Sequence, residues 1–393
     1  MKAVPGYDTA PAGRGSATLI SFRQVRLPGA ELPSVVDDPA LNRVWQSALS
    51  DAECASDGQT GLIAGVRDGR LTLLAPCLEQ TYGLPIRFGE KVLFTFAMPS
   101  LRLTPAAQHG VRCVADATAL FHWLRTDASQ SAIVLTDCAT SSPLYSALER
   151  ARALGYCLTR SQSDTHLFHR FAETYQAFFD SRSSKYKNQL RKKEKVFLGR
   201  FGNDFELREY RQPESVKAFL EAASAINRKT YQFHLFGESV DCDADSLDNA
   251  RRVSQAGRFR SFVLWHGPVP LCFVLGHQRV DGTYEHRQTG YDPEWRDFSP
   301  GIFCNILMLQ QLYATDRPLV MDFGSGDSDY KRLFSNEALS TANPILIPHL
   351  RRYGAAIWLH STAARTNAAL VRWLERWSLK SKVKRWLRGV STR

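Results

Sequence analysis

The strongest constraint on the fold is a run of three strand patterns followed by one helix pattern, between residues 259 and 314. The stretches FRSFVLWHG, VPLCFVLGHQRV and TYEHRQTGYD are rich in β-branched and aromatic residues, and turn-forming pairs, Gly267-Pro268 and Asp281-Gly282, separate them. The next segment has one apolar helical face, formed by Ile302, Ile306, Leu309 and Leu312. The pattern predicts an antiparallel meander that leads into an amphipathic helix.

The first half of the chain alternates strand and helix patterns. Strands are predicted over 62–67, 71–76, 92–97 and 132–136, and Asp68-Gly69 predicts a tight hairpin between the first two. A helix is predicted from Ser141 to Leu154. With the later strand PLVMDFGSGD and the short helix DYKRLFSN, the chain is assigned to the α/β (α+β) class, with mixed, mainly antiparallel sheets flanked by helices.

A basic helix is predicted from Ser181 to Gly199, and two interpretations of it stay open: a solvated surface helix, or a face that meets the phosphates of an anionic ligand. A strand over Leu207–Tyr210, a helix over Pro213–Arg228 and an irregular acidic segment over Glu238–Asp248 follow.

Composition excludes several classes of protein. The 393 residues, 44% of them hydrophobic, suffice for two or three domain-sized units. No run approaches the roughly 18 apolar residues of a membrane span, and Met1–Gly15 lacks a secretory signal pattern. The eight cysteines form no CxxC pair and no zinc-like spacing, so we expect no metal site and a reducing, cytoplasmic location.

The net charge of +11 is concentrated in the last segment of the chain. Residues 351–393 hold eleven Lys or Arg and one acidic residue, Glu375, so the rest is almost neutral and nucleic acid is not an expected partner. The apolar residues of this tail fall on two faces about half a turn apart, which predicts two short basic amphipathic segments. Either both lie on an anionic membrane surface, or the first docks on the body and the second is solvated.

The sequence Ser299-Pro300-Gly301 marks the start of the helix after the meander. Serine favours the N-cap and proline the first turn, while glycine removes a side chain beside the free amides. An anion such as a pyrophosphate could approach there, and capping alone is the simpler interpretation.

Three motifs resemble the CelD/BcsL-like acetyltransferases of the GNAT superfamily, a family named for a link to cellulose biosynthesis. They are SSKYKNQLRKKEKVF, GYDPEWRDFSPG and DFGSGDSDYKRLF, and the resemblance is densest over residues 168–334. FemAB-type aminoacyl transferases share the double-GNAT plan, but their inserted coiled-coil arm has no counterpart here. The spacing and order of the three motifs agree with the family, whereas the wider superfamily's Q/R-x-x-G-x-G/A phosphate loop is absent and only Gly301 can take its place.

The resemblance implies a tandem GNAT-like fold, with a degenerate GNAT-like domain (19–167) and an acyltransferase domain (168–349). Outside the resemblance, composition predicts a loose arm (1–18) before these domains and a basic helical tail (350–393) after them. The resemblance also implies a splayed sheet that holds the thioester of acetyl-CoA between two strands, with a backbone amide polarising its carbonyl. The residues expected to contact the cofactor are Gln288, Thr289, Gly290, Tyr291, Ser299, Pro300 and Gly301.

Transfer to an amine also needs a base and a proton donor. Glu285 is the first choice of base and His286 the alternative, and their adjacent positions on a strand turn them to opposite faces. Tyr330 could protonate the leaving thiolate and Lys331 could bind an anionic group, while Asp322 and Lys331 could instead form a structural ion pair.

The predicted function is therefore acyl-CoA-dependent N- or O-acyl transfer, most simply of acetyl, to a small-molecule, glycan or cell-envelope acceptor. The predicted location is cytoplasmic, with contact at the inner face of the membrane if the tail binds lipid. The alternatives are a FemAB-like aminoacyl-tRNA-dependent transferase and a non-catalytic double-GNAT scaffold. No kinase catalytic loop or G-x-S-x-G serine elbow occurs, which excludes those common enzyme classes.

Overall fold

The computed structural model describes residues 20–27, 38–54, 60–88, 91–127, 131–159, 163–230, 233, 239–348 and 351–376. The predicted arm over 1–18 and the end of the predicted tail, after residue 376, lie outside the described residues.

The strands are β1 (Ser21–Arg26), β2 (Thr60–Arg67), β3 (Arg70–Phe88), β4 (Lys91–Leu103), β5 (Ala132–Leu135), β6 (Cys138–Ala139), β7 (Tyr156–Thr159), β8 (Asp164–Arg170), β9 (Glu206–Tyr210), β10 (Ser261–His266), β11 (Val269–Gln278), β12 (Thr283–Tyr291), β13 (Val320–Ser325), β14 (Glu337–Ala342) and β15 (Ile345–Pro348). The helices are α1 (Pro39–Cys54), α2 (Ala107–Gly110), α3 (Val114–Asp127), α4 (Pro143–Ser146), α5 (Leu148–Ala153), α6 (Tyr175–Asp180), α7 (Ser184–Phe201), α8 (Val216–Asn227), α9 (Ala244–Gln255), α10 (Pro300–Ala314), α11 (Asp329–Phe334) and α12 (Arg351–Arg376), and a 3-10 helix covers Pro293–Phe298.

The strands form two sheets, one of seven strands and one of eight. The first has the order β1-β2-β3-β4-β5-β15-β7 and the second β6-β14-β8-β13-β12-β11-β10-β9. Strand pairs are antiparallel except for β4 with β5 and β12 with β13. The predicted class, α/β with mixed, mainly antiparallel sheets flanked by helices, is confirmed.

The two halves of the chain exchange strands. Near the end of the chain, β15 inserts between β5 and β7 of the first sheet, while β6 from the first half pairs with β14 at the edge of the second. Strand β8 spans the expected boundary at residues 167 and 168 and pairs with both β13 and β14. Side chains from both halves can therefore meet beside β13.

The predicted hairpin and meander are present. Asp68 and Gly69 adopt positive φ of 53° and 74° between the antiparallel strands β2 and β3, as a two-residue turn requires. Strands β10, β11 and β12 form the meander, and buried side chains such as Phe262 and Phe273 pack it against the helices on its two faces.

Several helix boundaries differ from the sequence prediction. Helix α7 is capped at its start by the Ser183 hydroxyl and at its end by Gly202. Gly199 is helical, so the helix does not end there as predicted. The single helix predicted from Ser141 to Leu154 is wrong, since the backbone breaks at Ala147 into α4 and α5. The acidic segment predicted as irregular contains the start of α9, which is capped by Asp243.

Helix α12 is continuous from Arg351 to Arg376, and its first half docks on the first sheet. Tyr353 is buried against Phe96, and the His360 ring bonds the carbonyl of Pro85. The apolar residues of the two predicted tail segments, from Leu370 onward, lie outside the described side chains, so both interpretations of the tail stay predictions. Within the described part of the chain, no helix has the length and apolar character that crossing a membrane requires.

Candidate active site

The parallel strands β12 and β13 pair over three residues and then separate. Thr283, Tyr284 and Glu285 face Val320, Met321 and Asp322, after which β12 continues to Tyr291 without a pairing partner on this side among the described strands. A wedge-shaped gap therefore opens beyond Glu285. The predicted splay is thus a feature of the backbone.

Backbone amides of β12 point into this wedge. The Asp292 amide donates to the carbonyl of Leu271 on β11. Because bonded pairs alternate along an antiparallel ladder, the amides of Thr289 and Tyr291 face the opposite edge, where the wedge lies. A β-bulge at Arg287, between the pairs that join Gln288 and His286 to β11, marks the opening.

Glu285 and Asp322 are cross-strand neighbours and so lie on one face of the sheet. Glu285 accepts hydrogen bonds from Arg279 (3.0 Å) and Arg287 (3.3 Å), one on each carboxylate oxygen. Arg279 also bonds Asp51 of α1, so this network joins the second sheet to the first half of the chain. Glu285 is therefore held by two guanidinium groups.

Asp322 has a histidine partner from another strand. Its Oδ1 lies 2.5 Å from Nε2 of His166 on β8 and accepts a bond from the Gly324 amide. The Asp322 side chain is 27% exposed, and Oδ2 has no hydrogen-bond partner among the described residues. His166 is buried, with its Nδ1 unpaired in the described part of the chain.

His286 occupies the opposite face, in a buried aromatic cluster with Phe323 and Tyr330. Its Nε2 lies 3.2 Å from Oδ1 of Asn305, whose Nδ2 donates to the Gly301 carbonyl. Since that carbonyl can only accept, the amide orientation is fixed and His286 is the donor to Oδ1. Burial lowers the pKa of His286 to about 4, so the ring is neutral at pH 7.

Lys331 does not form the structural ion pair with Asp322 that was one interpretation. Its Nζ donates to the carbonyls of Ser325 (2.8 Å) and Gly324 (3.3 Å), which fixes the turn after β13. Burial lowers the pKa of Lys331, against the attraction of nearby carboxylates. Tyr330, one residue earlier, places its ring centroid 6.0 Å from that of His286.

The start of α10 differs from the prediction in how it is capped. Ser299 occupies the N-cap position in a left-handed conformation, φ 58°, and its side chain does not cap the helix. Its hydroxyl instead accepts a 3.1 Å bond from Lys193 of α7, and its carbonyl accepts from the amides of Ile302 and Phe303. A cation of the basic helix thus lies at the helix start, where the helix dipole favours an anion.

Two glycines near the wedge make room for aromatic rings. A Cβ on Gly301 would lie 3.3 Å from the ring of Tyr291, and one on Gly290 would lie 2.6 Å from the ring of Phe273. Gly301 therefore admits the Tyr291 ring, a contact that the sequence did not predict. Thr289 donates its hydroxyl to the Phe273 carbonyl, and Pro300 begins α10 as expected.

The structure therefore places the predicted site residues on the two faces of the second sheet and at the start of α10. It adds three side chains that sequence reasoning missed: His166, Lys193 and Asn305. Lys193 had a signal, since it belongs to the basic helix. No local pattern could indicate His166 or Asn305, because their partners are distant in sequence. Among the described residues, no three His, Cys, Asp or Glu side chains gather as a metal ion would require.

The comparison with family models covers strands β9 to β13 of the second sheet. Residues 184–332 match the family model described as Acetyltransferase (GNAT) domain. No curated protein matches the sequence significantly. Among solved structures, FemX aligns with a TM-score of 0.53 at 12% identity, over 80% of this chain and 98% of FemX.

Two further structures align over both halves of the chain. A conserved protein of unknown function from Bacteroides thetaiotaomicron gives a TM-score of 0.49 at 11% identity, over 78% of this chain and 91% of that one. A tandem GNAT protein from the clavulanic acid biosynthesis pathway gives 0.44 at 10% identity, over 82% and 98%. Residues 184–332 thus match a GNAT acetyltransferase domain, and the fold of the chain is similar to that of FemX.

Proposed function

We propose that this protein transfers an acyl group, acetyl in the simplest case, from acyl-CoA to an amine or a hydroxyl. The observation that carries the proposal is the open wedge between β12 and β13, which lies beside a helix start that holds a lysine. The wedge offers unpaired amides to an extended thioester chain. The helix start offers positive charge to a pyrophosphate.

The fit to CoA rests on three groups. Lys193 can move its Nζ from the Ser299 hydroxyl to a phosphate oxygen, and the α10 dipole acts in the same direction. The amides of Thr289 and Tyr291 face the wedge, where they can bond the pantetheine chain or polarise the thioester carbonyl. Gln288 and Gly290 alternate with them toward β11, so they shape the strand without facing the wedge.

The chemical step needs a base on one side and an acid on the other. The nucleophile attacks the thioester carbonyl, the C–S bond breaks, the nucleophile's proton passes to a base, and the thiolate takes a proton. We propose Asp322 as the base, because its Oδ2 is unpaired and its side chain is partly exposed, whereas both oxygens of Glu285 are bonded to guanidiniums. His166 orients Asp322, and Tyr330 protonates the thiolate.

Finer assignments are part of the same proposal. The quoted motifs support membership of the CelD/BcsL-like subfamily and a polysaccharide-related or cell-envelope acceptor. The cysteine spacing, which is not of the disulfide type, supports a cytoplasmic location. A FemAB-like aminoacyl-tRNA-dependent transferase remains the second candidate, and a non-catalytic scaffold the third.

Calorimetric titration with acetyl-CoA tests the proposal, with Gly301→Trp and Lys193→Met as variants. A tryptophan at 301 would collide with the Tyr291 ring and fill the helix start, so we expect binding to be lost. Removing the lysine charge should weaken binding by roughly 10- to 100-fold, the worth of one charge-assisted hydrogen bond.

The matched control is Gly354→Trp, which adds the same side chain to an exposed helical glycine with open space around it. It should bind like the wild type. If the wild type binds no acyl-CoA, the proposal fails. Activity with aminoacyl-tRNA in its place would then favour the second candidate, and inactivity with both would favour the scaffold.

A further inference from the structure

We propose that the end of the β3–β4 hairpin and the outward face of α12 form a docking surface for an anionic lipid bilayer. The proposal does not depend on acyl transfer, because its side chains belong to the first sheet and to α12, whereas the wedge lies in the second sheet. Its residues are the exposed apolar side chains of the hairpin and the exposed tryptophan and arginine of the helix.

The hairpin exposes three consecutive large apolar residues. Val92, Leu93 and Phe94 are 41%, 59% and 50% exposed. They lie where β3 and β4 pair only with each other, because β2 pairs with β3 no further than Leu78. Consecutive residues of a strand point to opposite faces, so both faces of the ribbon end are apolar and open to solvent.

Helix α12 brings a second exposed apolar group to the same end of the sheet. His360 bonds the carbonyl of Pro85, whose neighbour Ile86 is the cross-strand partner of Phe94. Trp358, two residues before His360, is 68% exposed, the highest value among the large apolar side chains that are exposed in the described chain. Helix α12 thus passes the Pro85 end of the β3–β4 ribbon, and Trp358, about half a turn from His360, lies on the face of this helix that is turned away from the sheet.

The charge beside this patch is positive. Arg365 is exposed and lies seven residues after Trp358, so it shares the helix face that is turned away from Tyr353 and the sheet. The sequence repeats an arginine at the same spacing, Arg372, and residues 351–393 hold eleven basic residues against one acidic residue. Basic residues near a membrane surface are attracted to anionic lipid.

This combination selects a bilayer over other anionic partners. Leucine, phenylalanine and tryptophan beside a cationic face match the interface of an anionic membrane, where apolar groups insert below the headgroups. A nucleic acid would use the charge but leave Val92, Leu93 and Phe94 in water.

Vesicle co-sedimentation of the full chain tests the proposal. We compare vesicles of phosphatidylcholine with vesicles that also contain phosphatidylglycerol, at low and high salt. We expect binding to the anionic vesicles alone, and weaker binding at high salt. The double variant Leu93→Ser/Phe94→Ser should lower the partition coefficient roughly tenfold or more, since both side chains lose their apolar insertion.

The matched control is Val280→Ser, which removes another exposed apolar residue, 57% exposed, from the turn between β11 and β12 of the second sheet. It should bind vesicles like the wild type, and thermal unfolding should show that both variants are folded. Failure of the wild type to bind anionic vesicles would overturn the proposal. An equal loss of vesicle binding in the control, or unchanged vesicle binding of the double variant, would also overturn it. A further refuting result would be that duplex DNA displaces the protein from the vesicles while the double variant keeps its vesicle binding.

Discussion

The pair formed by His286 and Asn305 is a buried polar contact whose removal has a calculable cost. Asn305 is 3% exposed and His286 is 4% exposed, and the amide of Asn305 joins the histidine ring to the Gly301 carbonyl. In Asn305→Ala the Nε2–H of His286 keeps no acceptor in this position. The contact therefore tests whether α10 and β12 are locked together through polar side chains.

The expected loss in the free energy of unfolding is about 1–3 kcal/mol, the cost of leaving one buried donor unpaired. The Gly301 carbonyl adds little to this loss, because a carbonyl at that helix position can also accept the backbone amide of residue 305. Alanine has the higher helix propensity, which offsets roughly 0.5 kcal/mol. A net loss of about 0.5–2.5 kcal/mol follows.

Urea unfolding followed by circular dichroism measures this difference. Asn188→Ala is the matched control, because Asn188 is exposed in the middle of α7 and shows the effect of helix propensity alone. That control should be neutral or slightly stabilising. If Asn305→Ala unfolds at the same urea concentration as Asn188→Ala, the inferred bond from His286 to Asn305 does not contribute, and the assigned amide orientation is wrong.

Two further predictions concern packing and pH. Gly290→Ala should destabilise the fold by roughly 1–3 kcal/mol, since the new Cβ would lie 2.6 Å from the fully buried Phe273 ring. Gly199→Ala, with open space around it, should stabilise the fold by about 0.5–1 kcal/mol. Equal melting temperatures of the two variants in thermal unfolding would contradict the packing argument. The pKa of His286 falls from 6.5 to about 4 on folding, so between these values the unfolded chain binds the extra proton. The wild type should therefore lose up to roughly 3 kcal/mol as the pH drops from 6.5 to 4, a loss that His286→Phe should reduce; identical pH profiles of the two proteins in urea unfolding would refute this.

The sequence by itself determined the local structure of the second half. Short-range patterns fixed the meander and the amphipathic helix α10, because alternation and helical spacing are properties of neighbouring residues. The turn at Asp68-Gly69 was equally readable, since few residues accept positive φ. The motifs around Tyr291 and Asp322 were sufficient to indicate a GNAT domain, which the family match over 184–332 confirms.

Element ends were less determined by the sequence. Helix α7 continues past Gly199 to Phe201, because the burial of Phe201 rewards two more residues of helix. Propensity alone assigned the stop to the first glycine. Tertiary packing overrides such weak local preferences.

Only the tertiary structure decided which chemical groups meet. The insertion of β15 into the first sheet and the pairing of β8 with β13 bring His166 to Asp322, 156 residues apart along the chain. No local pattern encodes such a pairing, since its free energy comes from contacts that exist only after both sheets form. The same reason explains why Glu285, a plausible base in the sequence, is bound by two arginines in the fold.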